Sequence, residues 1–315
     1  MPTAGEEGEE GEQGEEAYQR LSGILSSGGA LEISRLAATA TRSEFSAPHL
    51  GLSTRELQQA FAHAHGVFFS GGAEAEAVAV AASGVLLLCS SEHGTALGVR
   101  RRALQRQATP AMVAAELTLT ESLVTSGLAR HSKSPALWGH RRWVRARFAG
   151  GARGAGAAEL DVVRRSAQAH PRNYYAWEHA RWVGAAMDGE ESAAALRAQV
   201  GWCRRHVADV SGWTFLAWLL DRAAPPLRAQ VLADTLEYAT VVPGHEALWA
   251  FVRIAARGVG RDAWLRALRG VAWEAYGDGE ERARDRMLRE RTCAWLDRWA
   301  WPAAAGGHGQ VVDSE

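Results

Sequence analysis

Apolar residues in the middle of the chain recur three and four positions apart. In residues 114–131 the series Leu117, Thr120, Leu123, Val124 and Leu128 turns one face of a helix toward a core. Residues 157–170, 192–207 and 226–240 carry the same period, and no alternating strand pattern competes with it. Breakers lie between these stretches: "AGGARGAG" (149–156), "MDGEES" (187–192) and "DRAAPP" (221–226). The pattern predicts units of helix, short turn and helix.

The second helix of each unit repeats a pattern of its own. "SPALWGHRRWV" (134–144) aligns with "NYYAWEHARWV" (173–183), "DVSGWTFLAWL" (209–219) and "HEALWAFVRIA" (245–255). A degenerate copy, "HGTALGVRRRA" (93–103), precedes them. The anchors are Leu97, Trp138, Trp177, Trp213 and Trp249, spaced by 41, 39, 36 and 36 residues. Five positions on stand Arg102, Trp143, Trp182, Trp218 and Ile254. Four positions before each anchor stand His93, Ser134, Asn173, Asp209 and His245. Ser, Asn and Asp accept hydrogen bonds from the free N–H groups of a first helical turn, so this column predicts N-caps. Pro135 then falls at a first helical position, where a missing N–H costs nothing.

Residues five apart on a helix lie about 140° apart around its axis. The two tryptophans of a unit therefore point different ways, one toward its partner helix and one toward the next unit. No single hairpin buries both, so the units stack. The expected fold is all-α: an α–α superhelix of about five TPR-like helical-hairpin repeats in one domain, residues 18–300. Seven Glu fall in the first sixteen residues, which predicts a disordered acidic tail over 1–17. Residues 302–315 read as a flexible tail.

Composition narrows the function classes. The formal net charge of the 315 residues is −1, which argues against a dedicated nucleic-acid binder. Of the 35 basic residues all but Lys133 are Arg, alongside abundant Ala and Gly, so this is read as a compositional bias. Cys89, Cys203 and Cys293 stand alone without ligand spacing, as buried thiols of a reducing compartment. No run of 18 apolar residues is present and the N-terminus lacks a secretory apolar core, which points to a cytoplasmic chain without a membrane span.

Chemistry is sparse. There is no GxSxG turn, no GxGxxG after a strand and no GxxxxGK[ST], so no self-contained active site is expected. Trp138, Trp143, Trp177, Trp182, Trp213, Trp218 and Trp249 recur at fixed helical phase and read as packing residues. His140 and His179 share a repeat position that elsewhere holds Val99, Phe215 and Phe251. They read as aromatic-sized packing residues with a hydrogen-bonding edge, and no metal site is expected. Arg142, Arg181 and Arg253 fall four after an anchor, positioned to stack on Trp or to pair with an acid such as Glu159 or Asp161.

The hairpins "SPALWGHRRWV" and "PRNYYAWEHARWV" resemble the repeat of protein prenyltransferase α subunits, over roughly residues 75–255. "RHVADVSGW" (205–213), "VVPGHEALW" (241–249) and "SGVLLLCSSEHGTALGVRRR" (83–102) resemble one branch of that family, associated with a geranylgeranyltransferase. The resemblance implies a superhelix wrapping a separate β subunit that holds the catalytic zinc, with no cofactor in this chain. It implies an enzyme inactive without that partner, moving an isoprenoid from its diphosphate to a C-terminal protein cysteine. Arg172 and Tyr174 match a Lys-Asn-Tyr segment that assists the diphosphate, and arginine's fork suits phosphate oxygens. Lys133, Asn173, Asp209 and His245 fall on the turns that would face the β subunit. Leu216-Ala217 replaces Arg-Arg in the fourth repeat, the first repeat lacks both aromatics and the family's Pro-rich extension is missing. The alternative is a non-enzymatic helical-repeat scaffold for protein interactions.

Overall fold

The computed structural model describes residues 4–70, 75–151, 156–273 and 279–301. It is all-α apart from one small sheet, and fifteen α-helices are described. The expected 302–315 tail lies outside the described residues. The chain divides into two compact units, Met1–Met187 and Asp188–Glu315.

The first unit opens with α1 (Ala4–Leu25). The acidic stretch expected to be disordered is thus helical from Ala4 onward. Its second half has apolar surface to bury: Ala17, Tyr18, Leu21 and Ile24 are covered, and α1 packs on α2 (Thr54–Phe69). Between them strands β1 (Glu32–Arg35), β2 (Glu44–Ser46) and β3 (His49–Leu52) form a sheet of order β1-β3-β2. β3 runs parallel to β1 and antiparallel to β2, with Ile33 and Phe45 on either side of Leu50.

Three hairpins complete this unit. They pair α3 (Ala75–Cys89) with α4 (Gly94–Arg106), then α5 (Pro110–Val124) with α7 (Pro135–Phe148), across the short α6 (Ala129–Ser132). The last pairs α8 (Gly156–Ala169) with α9 (Tyr174–Gly184). The second unit holds two more hairpins, α10 (Gly189–Arg205) with α11 (Val210–Asp221) and α12 (Pro225–Val241) with α13 (Glu246–Val259). Helices α14 (Arg261–Arg269) and α15 (Gly279–Trp295) follow, and a π-helical turn over Leu296–Ala300 closes it.

The five anchors occupy α4, α7, α9, α11 and α13, and all five are buried. Every residue of the predicted cap column sits at an N-cap. Ser134 accepts from Leu137 N, Asn173 from Ala176 N, and Asp209 from Ser211 N and Gly212 N. His93 accepts from Ala96 N through its ring, whereas the His245 ring makes no cap bond. The anchor indoles are tied as well. Trp138 Nε1 donates to Ser132 O at 2.7 Å and Trp213 Nε1 to Val207 O at 2.8 Å, both six residues back. Trp249 Nε1 donates instead to Asp285 on α15 at 2.6 Å.

The Trp138–Trp143 pair points two ways, as the helical phase predicts, one ring onto the next hairpin and the other onto the partner helix and back onto α4. Within the first unit Trp138 faces forward, its ring 5.1 Å from His179 of the next hairpin. Trp143 faces back, against Leu104, Val113 and Val144, and under Arg101 of the preceding hairpin at 5.4 Å. In the second unit Trp213 faces forward to Phe251 at 5.1 Å, while Trp218 stacks on Phe215 and under Arg222.

Candidate functional site

The most concentrated chemistry in the first unit is a buried ladder. Glu116 on α5 receives Arg100 from α4 (Nη2 to Oε2, 2.7 Å) and His140 from α7 (Nε2 to Oε1, 2.7 Å). One hairpin on, Glu159 on α8 receives Arg141 from α7 (Nη2 to Oε1, 2.7 Å), Arg145 (Nε to Oε1, 2.8 Å) and His179 from α9 (Nε2 to Oε2, 2.9 Å). The two sets share one grammar: arginine three after an anchor, glutamate on the next hairpin's first helix, histidine two after the next anchor.

Burial alone would raise both carboxyls. For Glu116, the charge of Arg100 and the hydrogen bonds from His140 and Arg100 overcome it and hold the group down to about 2. For Glu159, the His179 hydrogen bond and the Arg141 charge hold it well below the usual carboxylate range. Burial likewise lowers His179, so a neutral ring donates its Nε2–H to Glu159. At His140 the other ring nitrogen accepts from Arg101 Nε at 3.1 Å, which leaves the proton on Nε2, toward Glu116. Both carboxylates are thus neutralised and both histidines aligned, with no room for a substrate between them. The ladder is a packing device.

Of the two roles expected for Arg142, stacking on Trp or pairing with an acid such as Glu159, it takes the first. Arg141 takes that carboxylate, while Arg142 lies over the Trp182 ring at 5.7 Å and donates to Glu178 O at 3.3 Å. The reason is helical phase: one residue further along rotates the side chain about 100°, from α8 to α9. Arg101 over Trp143 repeats that stack one hairpin earlier. Arg181 bridges Glu178 on its own helix at 3.5 Å. The signal for the ladder was in the sequence, since Glu116 and Glu159 appear only where Arg and His occupy the two matching columns.

The expected functional turn is a different place. Lys133, at the end of α6, is exposed and donates Nζ to Pro171 O at 3.1 Å. Arg172 is exposed and has φ 59°. It is the one non-glycine residue with positive φ among the described residues, a conformation that costs on the order of 1 kcal/mol or more. Tyr174 follows, 63% exposed, edge-on to Tyr175 with ring centres 5.5 Å apart. The structure thus brings Lys133, Arg172 and Tyr174 to one surface and adds Tyr175, which the sequence reading had passed over.

Asn173 and Asp209, expected on partner-facing turns, are instead buried at their caps. Asn173 also donates Nδ2 to Ser132 O at 2.7 Å and to Ser166 Oγ at 3.1 Å. A residue held by three hydrogen bonds inside the chain has nothing left to offer outside it. His245 is half-buried. Among the described residues no group of three or more His, Cys, Asp and Glu is placed to hold a metal, and no helix is long and apolar enough to cross a membrane.

The model of the ECM9 middle domain matches residues 156–239, the hairpins anchored on Trp177 and Trp213. It covers about a quarter of the chain. No curated protein matches. The match is not to a protein prenyltransferase α family, and the resemblance drawn from the tryptophan repeat is corrected by it. The residues that suggested it are caps, indole anchors and histidine spacers. Such residues answer to the geometry of stacked hairpins, which carries no information about chemistry.

Proposed function

We propose that this chain is a non-enzymatic helical-repeat scaffold that seats a partner protein on the turn carrying Lys133, Arg172, Tyr174 and Tyr175. The supporting observation is the exposed Tyr174–Tyr175 pair beside a strained Arg172. Aromatic and arginine side chains supply most hot spots of protein interfaces. Backbone strain in a folded chain persists where its surroundings enforce it, often at functional sites. Here Asn173 is locked as a cap immediately after Arg172, so Arg172 absorbs the sharp change of direction between α8 and α9.

A second, narrower reading is that the seated partner is a prenyltransferase β chain in the cytoplasm. In it the partner holds the zinc, and Arg172 and Tyr174 border the isoprenoid diphosphate while the cysteine of a protein substrate is modified. What bears on this reading is that Arg172 and Tyr174 are exposed together on one turn, a guanidinium fork and a phenol that suit diphosphate oxygens. Co-purification with mass spectrometry separates the two. Recovery of a prenyltransferase β chain favours the narrow reading. A different stoichiometric partner, lost on Tyr174→Ala, favours the scaffold alone. Failure of any partner to depend on Tyr174 removes both.

A further inference from the structure

A pocket of about 350 Å³ lies in the first unit, lined by residues that all precede Trp138 in the sequence. Four elements line it: Arg35 at the end of β1, Thr54, Leu57, Gln58 and Phe61 on α2, Cys89 and Ser90 at the end of α3, and Arg130 on α6. The α2 residues are spaced three, four and seven apart, so they form one stripe of that helix. Leu57, Phe61 and the Cys89 side chain make an apolar wall. Burial pushes the Cys89 thiol up to about 12 against the opposing charge of Arg130. The thiol therefore stays protonated and behaves as a small apolar group that reaches only Leu57 O, at 3.6 Å.

The polar side of the pocket has one sign. Arg35 and Arg130 are both exposed at its edge, and no carboxylate is among the lining residues. The nearby Glu56 is turned away, buried against Arg20 and Ser43 N. The carbonyl groups that end α3 would set a negative potential here, but they are already taken. Leu88 O accepts from Arg130 Nη2 at 3.3 Å and faces His131 Nε2 at 3.0 Å, and Leu87 O faces the same nitrogen at 3.2 Å. The first turn of α2, the positive end of a 16-residue helix, borders the pocket at Thr54.

From this combination we infer that the pocket binds an amphipathic anion, a carboxylate or phosphate head held by Arg35 and Arg130 with a short apolar tail along Leu57 and Phe61. The volume is at the lower end of small-ligand sites, which run from about 300 to 1,000 Å³. That size admits a chain of medium length and excludes a large ring system. Two guanidiniums give forked donors suited to either head group.

The test titrates octanoate and octyl phosphate, each below its micelle concentration, into the full chain by calorimetry. Octanol and inorganic phosphate serve as the tail-only and head-only controls. At least one amphiphile should bind, and both controls at least about tenfold more weakly, the scale of one charge-assisted contact. The preferred amphiphile identifies the head group. Arg35→Gln and Arg130→Gln should each weaken binding about tenfold. Both positions are exposed, so unchanged circular dichroism will certify the fold of these variants. Phe61→Ala should remove the advantage of the tail. The inference is overturned if neither amphiphile binds, or if binding is indifferent to both arginine substitutions.

Discussion

At the residue scale the buried glutamates explain why three side-chain columns change together. Glu159 pairs with buried Arg141 and half-buried Arg145 and accepts from His179, while Glu121 adds a second carboxylate 3.6 Å from Arg141. In the second unit the same three positions hold Leu216, Val231 and Phe251, also buried. The fold therefore accepts either a complete ionic set or a complete apolar one, and mixtures leave a charge unpaired. Glu159→Gln should cost about 3 kcal/mol in urea unfolding, because Arg145 loses its carboxylate and Arg141 keeps only the more distant Glu121 at 3.6 Å. Adding Arg141→Leu and His179→Phe to Glu159→Val should recover much of that loss by copying the second unit. No recovery would show that the ladder is more than packing. The sequence displayed each of these residues, but pairing Arg141 rather than Arg142 with Glu159 required knowing which side of α7 faces α8.

Protonation sets a second residue-scale expectation. His131 is buried beneath α3, and burial together with the Arg130 charge lowers it to about 4 despite its bonds to Leu87 O and Leu88 O. The folded state then binds fewer protons than the unfolded chain, in which histidine titrates near 6.5. Its contribution is complete above about pH 6.5 and is lost as pH falls toward 4. His179, lowered by burial, works in the same direction. Glu116 and Glu159 extend the loss below the ordinary carboxylate range, since their depressed folded values favour the native state only while they are ionised. Stability followed by urea unfolding should fall by about 3 kcal/mol from His131 alone between pH 6.5 and 4. His131→Gln should flatten that segment of the profile. An unchanged slope in the variant would assign the acid sensitivity to other groups.

At the scale of the element, the hairpins were legible because helix signals are local. Side chains four before each anchor mark the starts of α4, α7, α9, α11 and α13. The hydrogen bonds separate them further. Asn173→Ala should cost about 2 kcal/mol, the upper part of the cap range, since Asn173 also bonds Ser132 O and Ser166. His245→Ala should stay within about 0.5 kcal/mol, because its ring makes no cap bond. Thermal unfolding of the two variants checks the contrast, and equal losses would mean that the column reflects packing instead. The small sheet was not legible. Its strands are three or four residues long, and β1 exposes three of its four residues, too little for a period of two to show. Parallel pairing of β1 with β3 also joins residues that no local pattern connects. The N-terminal acidic run hid a helix for a related reason: charge density was visible, but the surface of α2 that covers Tyr18 and Leu21 was not.

For the whole molecule, the repeat explains the tryptophans and leaves function to the surface. The polar and aromatic residues of the repeat columns are taken up by caps, anchors and the ionic ladder. Two outward features carry arginine with apolar or aromatic side chains: the turn of Lys133, Arg172, Tyr174 and Tyr175, and the pocket between β1, α2, α3 and α6. The repeat made the fold readable, and for the same reason it misled about kinship, because similar hairpins meet similar packing demands in unrelated proteins. The most direct test of the central claim is the affinity of the full chain for its co-purified partner, with and without Tyr174→Ala and Tyr175→Ala together. Both side chains are exposed, so the fold should be unaffected. The account predicts a loss of at least about 30-fold, the scale of an interface hot spot. Undiminished affinity in a folded double variant would contradict it.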